Sequence, residues 1–339
     1  MKDYDIFRKI YNRRGFIKFS AMLSASLMMP SVSIGNTDKW GNILPTRKLG
    51  KTNLDVTLFT MGSGSAGVNY DMVEVVIESA VQGGCRFFDT ARAYGNGDRE
   101  KQFGKYLTSK YRNEIVLLSK STAKDAENLN RDLETSLEAL QTDYIDVYLM
   151  HAINSVEDVD ERLNNGVFDA MLKAREKGLI RHIGFSGHYD PDANIHLLNK
   201  NLSEIEVMMC PVNPVDQLQK SFVLNVLPVA AEKNIGVIAM KVFGGGGLTG
   251  QPIRWGGHRG EERESVIPEL LSVKEALYFA WSLPISTTTL GCSSIEQVKT
   301  DIAYLHSYAG MSESRRKELT EKLRDVASRN NLEHYKMPK

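Results

Sequence analysis

Four ionisable side chains sit at regular stations in the first half of the chain. Asp89 closes the run CRFFDT, Tyr94 follows in AYGNGDRE, Lys120 closes EIVLLSK, and His151 closes YIDVYLMH. Each has an ordinary reading alone: a turn cap, a loop anchor, a lysine reaching from a rim, a packed histidine. Together they make a chemical device. A tyrosine hydroxyl with a pKa near 10 holds its proton too tightly to be a good acid at neutral pH. An ammonium beside it favours the phenolate and lowers that pKa. An aspartate fixes the lysine and keeps it charged. A neutral histidine can donate a hydrogen bond to a carbonyl oxygen and orient it. Such a set protonates a carbonyl oxygen while hydride reaches the carbon, or runs the reverse. No side chain supplies hydride, so a cofactor is implied.

The elements that must position these groups are legible as alternation. Eight short apolar runs recur at 56–62, 85–90, 114–121, 144–151, 180–187, 206–213, 236–244 and 286–294, most of them rich in Val, Ile, Leu or Phe. They read as strands buried on both faces. Helical patterns separate them. Val73, Val76, Ile77 and Ala80 share one face of a helix with Gly83 as its C-cap, and Leu129, Leu133, Leu137 and Leu140 share another. Pro228 either kinks the sixth helix or marks its start. Eight strands, each followed by a helix, is the arithmetic of a closed (β/α)8 barrel, an α/β fold of the TIM type. An open doubly wound sheet is the alternative, disfavoured because TMGSGSAG (60–67) lacks GxGxxG spacing. Residues 45–55 predict a hairpin under the barrel floor. The long connection from Gly244 to about Ser272 holds GGGG and WGGHRGEERES, and loops of that length are usually functional or disordered. The tail SESRRKELTEKLRDVASRN predicts one final amphipathic helix.

Phe88-Asp89-Thr90-Ala91 with Tyr94-Gly95, Ser119-Lys120, Met150-His151 and Ile183-Gly184-Phe185-Ser186 resemble the motifs of the aldo-keto reductase family, in order and in spacing, over about residues 45–310. The resemblance implies a nicotinamide-dependent oxidoreductase with its cofactor across the C-terminal mouth of the barrel. It also implies that Tyr94 is the acid/base, that Lys120 and Asp89 tune it, and that His151 orients the carbonyl.

The resemblance thins along the second half of the rim. The family holds the carboxamide with Ser-Asn and a Gln; here Ser186 is followed by Gly187 and His188, and Met209 stands in place of the Gln. Asn213 matches a strand-six position. Met240 stands where an aromatic stacks on the nicotinamide; its soft thioether can still cover a ring. Lys241 replaces a usual Ser and could face the pyrophosphate. Gly244 to Gly247 either bring bare backbone to the pyrophosphate or hinge a lid. After strand eight, Ser293, Ser294 and Gln297 are the candidates for the 2′-phosphate, with Lys299 a step or two away, although Ser294 could cap a helix and Gln297 could be a solvated helix residue. Hydroxyls hold phosphate less strongly than Arg. NADP is the expected cofactor on family habit, with NAD the alternative. Tyr70, Trp255 and His258 are placed to line a substrate cleft.

The N-terminus adds an address. Arg13-Arg14-Gly15-Phe16-Ile17-Lys18 precedes an apolar run from Phe19 to Met29, then Pro30 and small residues. This is the layout of an export signal over 1–36, close to the twin-arginine consensus, with a mature start between Ser33 and about Asp38. Export to the periplasm by the twin-arginine (Tat) machinery is therefore expected, with a cytoplasmic chain bearing a basic arm as the alternative. Residues 45–310 form the barrel and 311–339 a C-terminal helix and tail. The chain of 339 residues carries 42 basic and 42 acidic side chains. That balance argues against a nucleic-acid partner, and no apolar stretch is long enough to insert stably in a membrane. Cys85, Cys210 and Cys292 show no metal-ligand spacing and read as buried thiols; no metal is expected. The partner is a small carbonyl compound or sugar. A nicotinamide-binding regulatory barrel is the competing reading, and the complete four-residue set argues against it. Exported to a compartment without free nicotinamide, the enzyme would need a cofactor retained from before export.

Overall fold

The computed structural model describes residues 31–33, 35–64, 73–248, 254–255, 258–259, 269–329 and 332–336. Of the export-signal segment 1–36, residues 1–30 and Ile34 lie outside the described residues, as does Tyr70. Eight parallel strands close on themselves: β1 Phe59–Gly62, β2 Phe87–Asp89, β3 Val116–Ser121, β4 Ile145–Ile153, β5 Ile180–Gly187, β6 Ile205–Pro211, β7 Gly236–Met240 and β8 Thr287–Gly291. Closure is direct, with Thr288 of β8 paired to Phe59 of β1 and Leu290 to Met61. The sheet has no edge, which decides for the barrel over an open sheet.

Two hydrophobic layers follow from the two faces of each strand. Phe87, Leu118, Val147, Leu149, Val207, Met209, Ile238 and Met240 form one cluster. Their strand neighbours Phe88, Leu117, Tyr148, Met208 and Ala239 join the larger cluster that packs against the helices. The first set fills the barrel. Side chains alternate with period two, so the next inward stations above Phe87, Leu118 and Leu149 are Asp89, Lys120 and His151. Strand geometry alone thus lifts the three groups to one level at the C-terminal mouth.

The expected floor hairpin is present. Thr46–Lys48 pairs antiparallel with Asp55–Thr57, and Leu49 and Val56 enter the interior cluster. Gly50 turns there at φ +55, where a Cβ would stand 2.1 Å from the Gly236 amide nitrogen, so only glycine lets the hairpin meet the foot of β7. The run 56–62 therefore divides at Leu58 between hairpin and barrel. A second small hairpin, Thr37–Asp38 with Gly41–Asn42, is fixed by Asp38, which takes the Arg86 guanidinium at 2.6 and 2.8 Å and accepts the Trp40 amide at 2.8 Å.

Several local expectations shift. The first helix, Val73–Gln82, ends with Gly84 rather than Gly83 in the left-handed region, at φ +92. Pro228 lies in the first turn of Leu227–Glu232, behind a separate short helix Phe222–Asn225, so it starts a helix instead of kinking one. The tail forms two helices, Glu313–Lys322 and Arg324–Arg329, rather than one. Of the long loop after β7, Gly244–Gly246 is a 3-10 turn and Arg254–Trp255 pairs with His258–Arg259; Trp255 and His258 thus share a two-stranded turn. The three cysteines are buried and free, as expected. Among the described residues no helix is long and apolar enough to cross a membrane.

Candidate active site

Asp89, Lys120 and Tyr94 form one connected relay. The Lys120 ammonium donates to Asp89 Oδ1 at 2.5 Å, to the Thr90 carbonyl at 2.8 Å and to the Tyr94 hydroxyl at 3.4 Å. Lys120 is fully buried, at 0% exposed. Burial works against its charge, and the carboxylate of Asp89 followed by Tyr94 outweighs it, holding the lysine above its ordinary pKa. Lys120 is therefore a permanent cation beneath the phenol.

Tyr94 opens a turn that only glycine-rich sequence can make. Gly95, Asn96 and Gly97 all take positive φ, and the Tyr94 amide donates to the Ala91 carbonyl at 3.0 Å. Gly64, after β1, lies under the phenol ring; a Cβ there would stand 2.7 Å from it. Burial raises the phenol's pKa above 10, Lys120 lowers it and Asp89 raises it again. The net direction is upward, against the sequence expectation: the lysine acts as foreseen, but desolvation is larger. Tyr94 thus stands protonated, a proton donor at neutral pH.

His151 meets Tyr94 edge to face, with ring centroids 5.7 Å apart at 81°. Its Nδ1 is buried without a hydrogen-bond partner among the described residues. Burial, then the charges of Lys120, His188, Lys241 and Arg162, hold its pKa well below 6.5, so the ring is neutral. Its backbone is fixed by groups the sequence did not reveal. Arg162 donates to the His151 carbonyl at 3.1 Å and pairs with Asp158 at 2.9 Å. Ala152, at φ +55, donates its amide to Ser186 Oγ at 2.9 Å, and the β4–β5 register slips between Met150 and Ile153. Ser186 accepts that bond and keeps its own proton to give.

Thr289 of β8 is a second group missed from sequence. Its hydroxyl donates to Asp89 Oδ2 at 3.0 Å, the oxygen that Lys120 leaves open. Period two along TTTLG would have placed Thr287 and Thr289 inward together, but a threonine run carries no sign of which strand it will face.

The other side of the mouth differs from expectation. Asn213 Nδ2 donates to Glu333 Oε1 at 2.9 Å, Tyr335 Oη at 3.0 Å and the Lys241 carbonyl at 3.3 Å. Its Oδ1 accepts the amides of Val215 and Asp216. This side chain secures the segment 332–336 and a turn rather than standing open to a ligand. Gly244 and Gly247 face the Leu332 carbonyl, where a Cβ would come within 2.9 and 2.6 Å. Bare backbone is needed there, and what approaches it is the chain's own tail. Met240 is buried at the end of β7. Lys241 follows at φ +55; burial, then Lys120, lower its pKa to about 7. Ser294 is the N-cap of Ile295–His306 and accepts the Gln297 amide at 3.2 Å, while Gln297 Oε1 takes the Ser293 amide and hydroxyl. Ser293, Ser294 and Gln297 together do the local capping work of a helix start, with the Ser293 hydroxyl donating to Gln297 and the Ser294 hydroxyl accepting from it.

A barrel whose rim carries a tyrosine over a buried lysine–aspartate pair, with a neutral histidine at its edge, is an oxidoreductase barrel of the carbonyl-reducing kind. The family model described as "Aldo/keto reductase family" matches residues 58–336, and the chain belongs to that family. An L-galactose dehydrogenase of Arabidopsis thaliana is 27% identical over 291 residues, 76% of this chain and 86% of that protein. An uncharacterized oxidoreductase of Bacillus subtilis is 24% identical over 286 residues, covering 76% and 89%. Among solved structures, a holo-form aldo-keto reductase from Bacillus halodurans superimposes with TM-score 0.66 at 23% identity, covering 82% of this chain and 95% of that one. An aldo/keto reductase from Klebsiella pneumoniae, solved with NADP and acetate, gives 0.62 at 20% identity, covering 84% and 93%.

Proposed function

We propose that the chain interconverts a carbonyl compound, an aldehyde, ketone or sugar, with its alcohol, using NADP(H), with NAD(H) as the alternative. Tyr94 is the acid/base, Lys120 and Asp89 tune it, and His151 orients the carbonyl. The observation that carries this reading is the Asp89–Lys120–Tyr94 relay with a neutral His151 against the phenol. The residues present suit a nicotinamide nucleotide. Ser186 retains a donor, Met240 offers an apolar face, Lys241 can be cationic, and the Ser293 and Ser294 hydroxyls stand at a helix start. The Klebsiella pneumoniae relative was solved with NADP, which favours that nucleotide.

When bound, the nicotinamide supplies or accepts the hydride. The protein's own groups do the rest. The neutral His151 ring, set edge to face against Tyr94, would hydrogen-bond the carbonyl oxygen and orient it. The Tyr94 hydroxyl gives that oxygen its proton, and Lys120 stabilises the phenolate left behind. Asp89 keeps Lys120 charged throughout, with Thr289 holding its second oxygen. Because burial keeps Tyr94 protonated, its proton is available to the reductive step at neutral pH, and the phenolate that the oxidative step needs grows as pH rises.

The test is Tyr94→Phe. Turnover should fall on the order of 10³-fold, while the dissociation constant for NADPH, read by fluorescence titration, stays within about twofold. Equal turnover in the variant sinks the catalytic assignment, and a wild type that binds NADPH but turns over no carbonyl compound favours a nicotinamide-binding regulatory barrel. We further propose export through the twin-arginine machinery, on Arg13-Arg14-Gly15-Phe16-Ile17-Lys18 and the apolar run behind it. Cell fractionation with N-terminal sequencing decides this: full-length protein confined to the cytoplasm rules it out.

A further inference from the structure

The last described segment, Leu332–Lys336, is anchored by buried polar groups. Glu333, Tyr335 and Lys336 are all buried. Lys336 Nζ lies 2.6 Å from Asp216 Oδ1 and 2.8 Å from Glu333 Oε2, and Tyr335 Oη donates to Glu333 Oε1 at 2.6 Å. The anchoring points are the loops after β6 and β7: Asn213 and Asp216 on one side, the glycine run 244–247 on the other. The Tyr335 ring also meets His188, beyond β5, at 6.2 Å. His188 in turn bears electrostatically on His151.

We propose that Leu332–Lys336 is a clasp that holds the loops after β5, β6 and β7 closed around a bound nicotinamide nucleotide, so that nucleotide exchange requires the segment to lift. The proposal rests on the nucleotide reading above. Three features of the segment support it. Its contacts fall on the loops that follow the strand ends carrying Ser186 and Met240, so clasp and cleft share their walls. Its seat is made for it, because the glycines remove every side chain that would meet the Leu332 carbonyl or the His334 ring. Its fastening is ionic. A buried ion network contributes little net stability compared with apolar packing of the same volume, but it fixes one geometry. When it opens, the Lys336 and Glu333 charges regain water, while the buried Leu332 and Tyr335 side chains are uncovered. Packing is also incomplete on the outer side, where a pocket of about 240 Å³ is lined by Val215, Leu218, Gln219, Arg324, Leu332 and Glu333. In an exported enzyme, such a clasp would keep a cofactor acquired before export.

The experiment follows NADPH release from the full-length protein by its fluorescence after a chase with excess NADP+. Lys336→Met leaves the Glu333 and Asp216 carboxylates without their shared cation, and should speed release about tenfold; Tyr335→Phe, which removes only a hydroxyl, should do so about threefold. Hydrogen exchange at the Leu332–Lys336 amides should slow when NADP+ is added to the wild type. Release rates equal in all three proteins overturn the clasp. Faster exchange of the segment on adding NADP+ also overturns it, since the segment would then compete with the nucleotide. A wild type that binds neither nucleotide overturns the oxidoreductase reading, and the clasp with it; binding with unchanged release overturns the clasp alone.

Discussion

The two halves of the barrel mouth are built on different terms. From β2 to β4, three inward strand positions and one tight turn deliver Asp89, Tyr94, Lys120 and His151 to within contact of one another. From β5 to β8, the residues expected to face a cofactor are largely engaged in architecture. Asn213 ties down Glu333 and Tyr335, Gly244 and Gly247 seat the Leu332 backbone, and Ser294 and Gln297 cap a helix. The contrast is physical. Proton transfer needs particular side chains within hydrogen-bond reach, so few arrangements serve. A nucleotide can be held by backbone amides, hydroxyls or a cation in many arrangements, so individual positions are free to take structural work.

The comparison can be broken or sharpened by substitution. The largest effect expected is at Lys120. Lys120→Met leaves the Asp89 carboxylate buried without its cation, which should cost about 3–5 kcal/mol of stability. Thermal unfolding should drop accordingly, and turnover should fall with it. A variant that melts like the wild type would mean that the relay is wetter and looser than its burial implies.

Thr289→Val tests whether the far strand supports the near site. It removes one hydrogen bond to a buried charge, worth about 1.5–3 kcal/mol. Turnover should fall about tenfold, and Thr289→Ser should restore most of it. Unrescued loss would indicate a packing defect rather than the hydroxyl.

Lys241 probes the weaker half, with a smaller effect that depends on pH. Its pKa is about 7 in the folded chain against an ordinary 10.5. The folded state therefore binds fewer protons than the unfolded state between about pH 7 and 10.5, and stability rises with pH across that window. Removing the amine should help most where the charge is most costly. Lys241→Met should raise the melting temperature more at pH 6 than at pH 10. If the ammonium faces the nucleotide phosphates, wild-type affinity for NADP+ should also decline above pH 7, by at most about tenfold per pH unit, and the variant should show a flatter profile. A wild-type affinity independent of pH would remove Lys241 from the nucleotide site.

How much of this was legible follows from range. The barrel could be read because period two and the eight-fold alternation are local, repeated signals. The catalytic residues could be read because their types are rare at the ends of apolar runs, and period two fixes which of them point inward. The capping role of Ser294 was one of two readings available, since a Ser three residues before Gln is a local signal. Other features were not available locally. Asn213 meets Glu333 and Tyr335 across 120 and 122 residues of chain. Thr289 meets Asp89 across 200. Nothing in NPVDQ or TTTLG names such partners. The sign of the Tyr94 shift was equally out of reach, because desolvation is set by the whole enclosure while Lys120 is a single neighbour.

The sequence by itself determined the strand count, the inward stations of Asp89, Lys120 and His151, and the glycine-bearing turn that presents Tyr94. These rest on backbone periodicity and residue type, which act over a few positions. Only the tertiary structure decided which groups close on those residues from across the barrel: Thr289 on Asp89, Gly64 under Tyr94, Ser186 behind His151, and the C-terminal segment on Asn213 and the glycine run. Those contacts depend on the barrel closing and on the tail returning over its mouth. Burial and distance then fix the proton affinities, and neither is a property of any single stretch of chain.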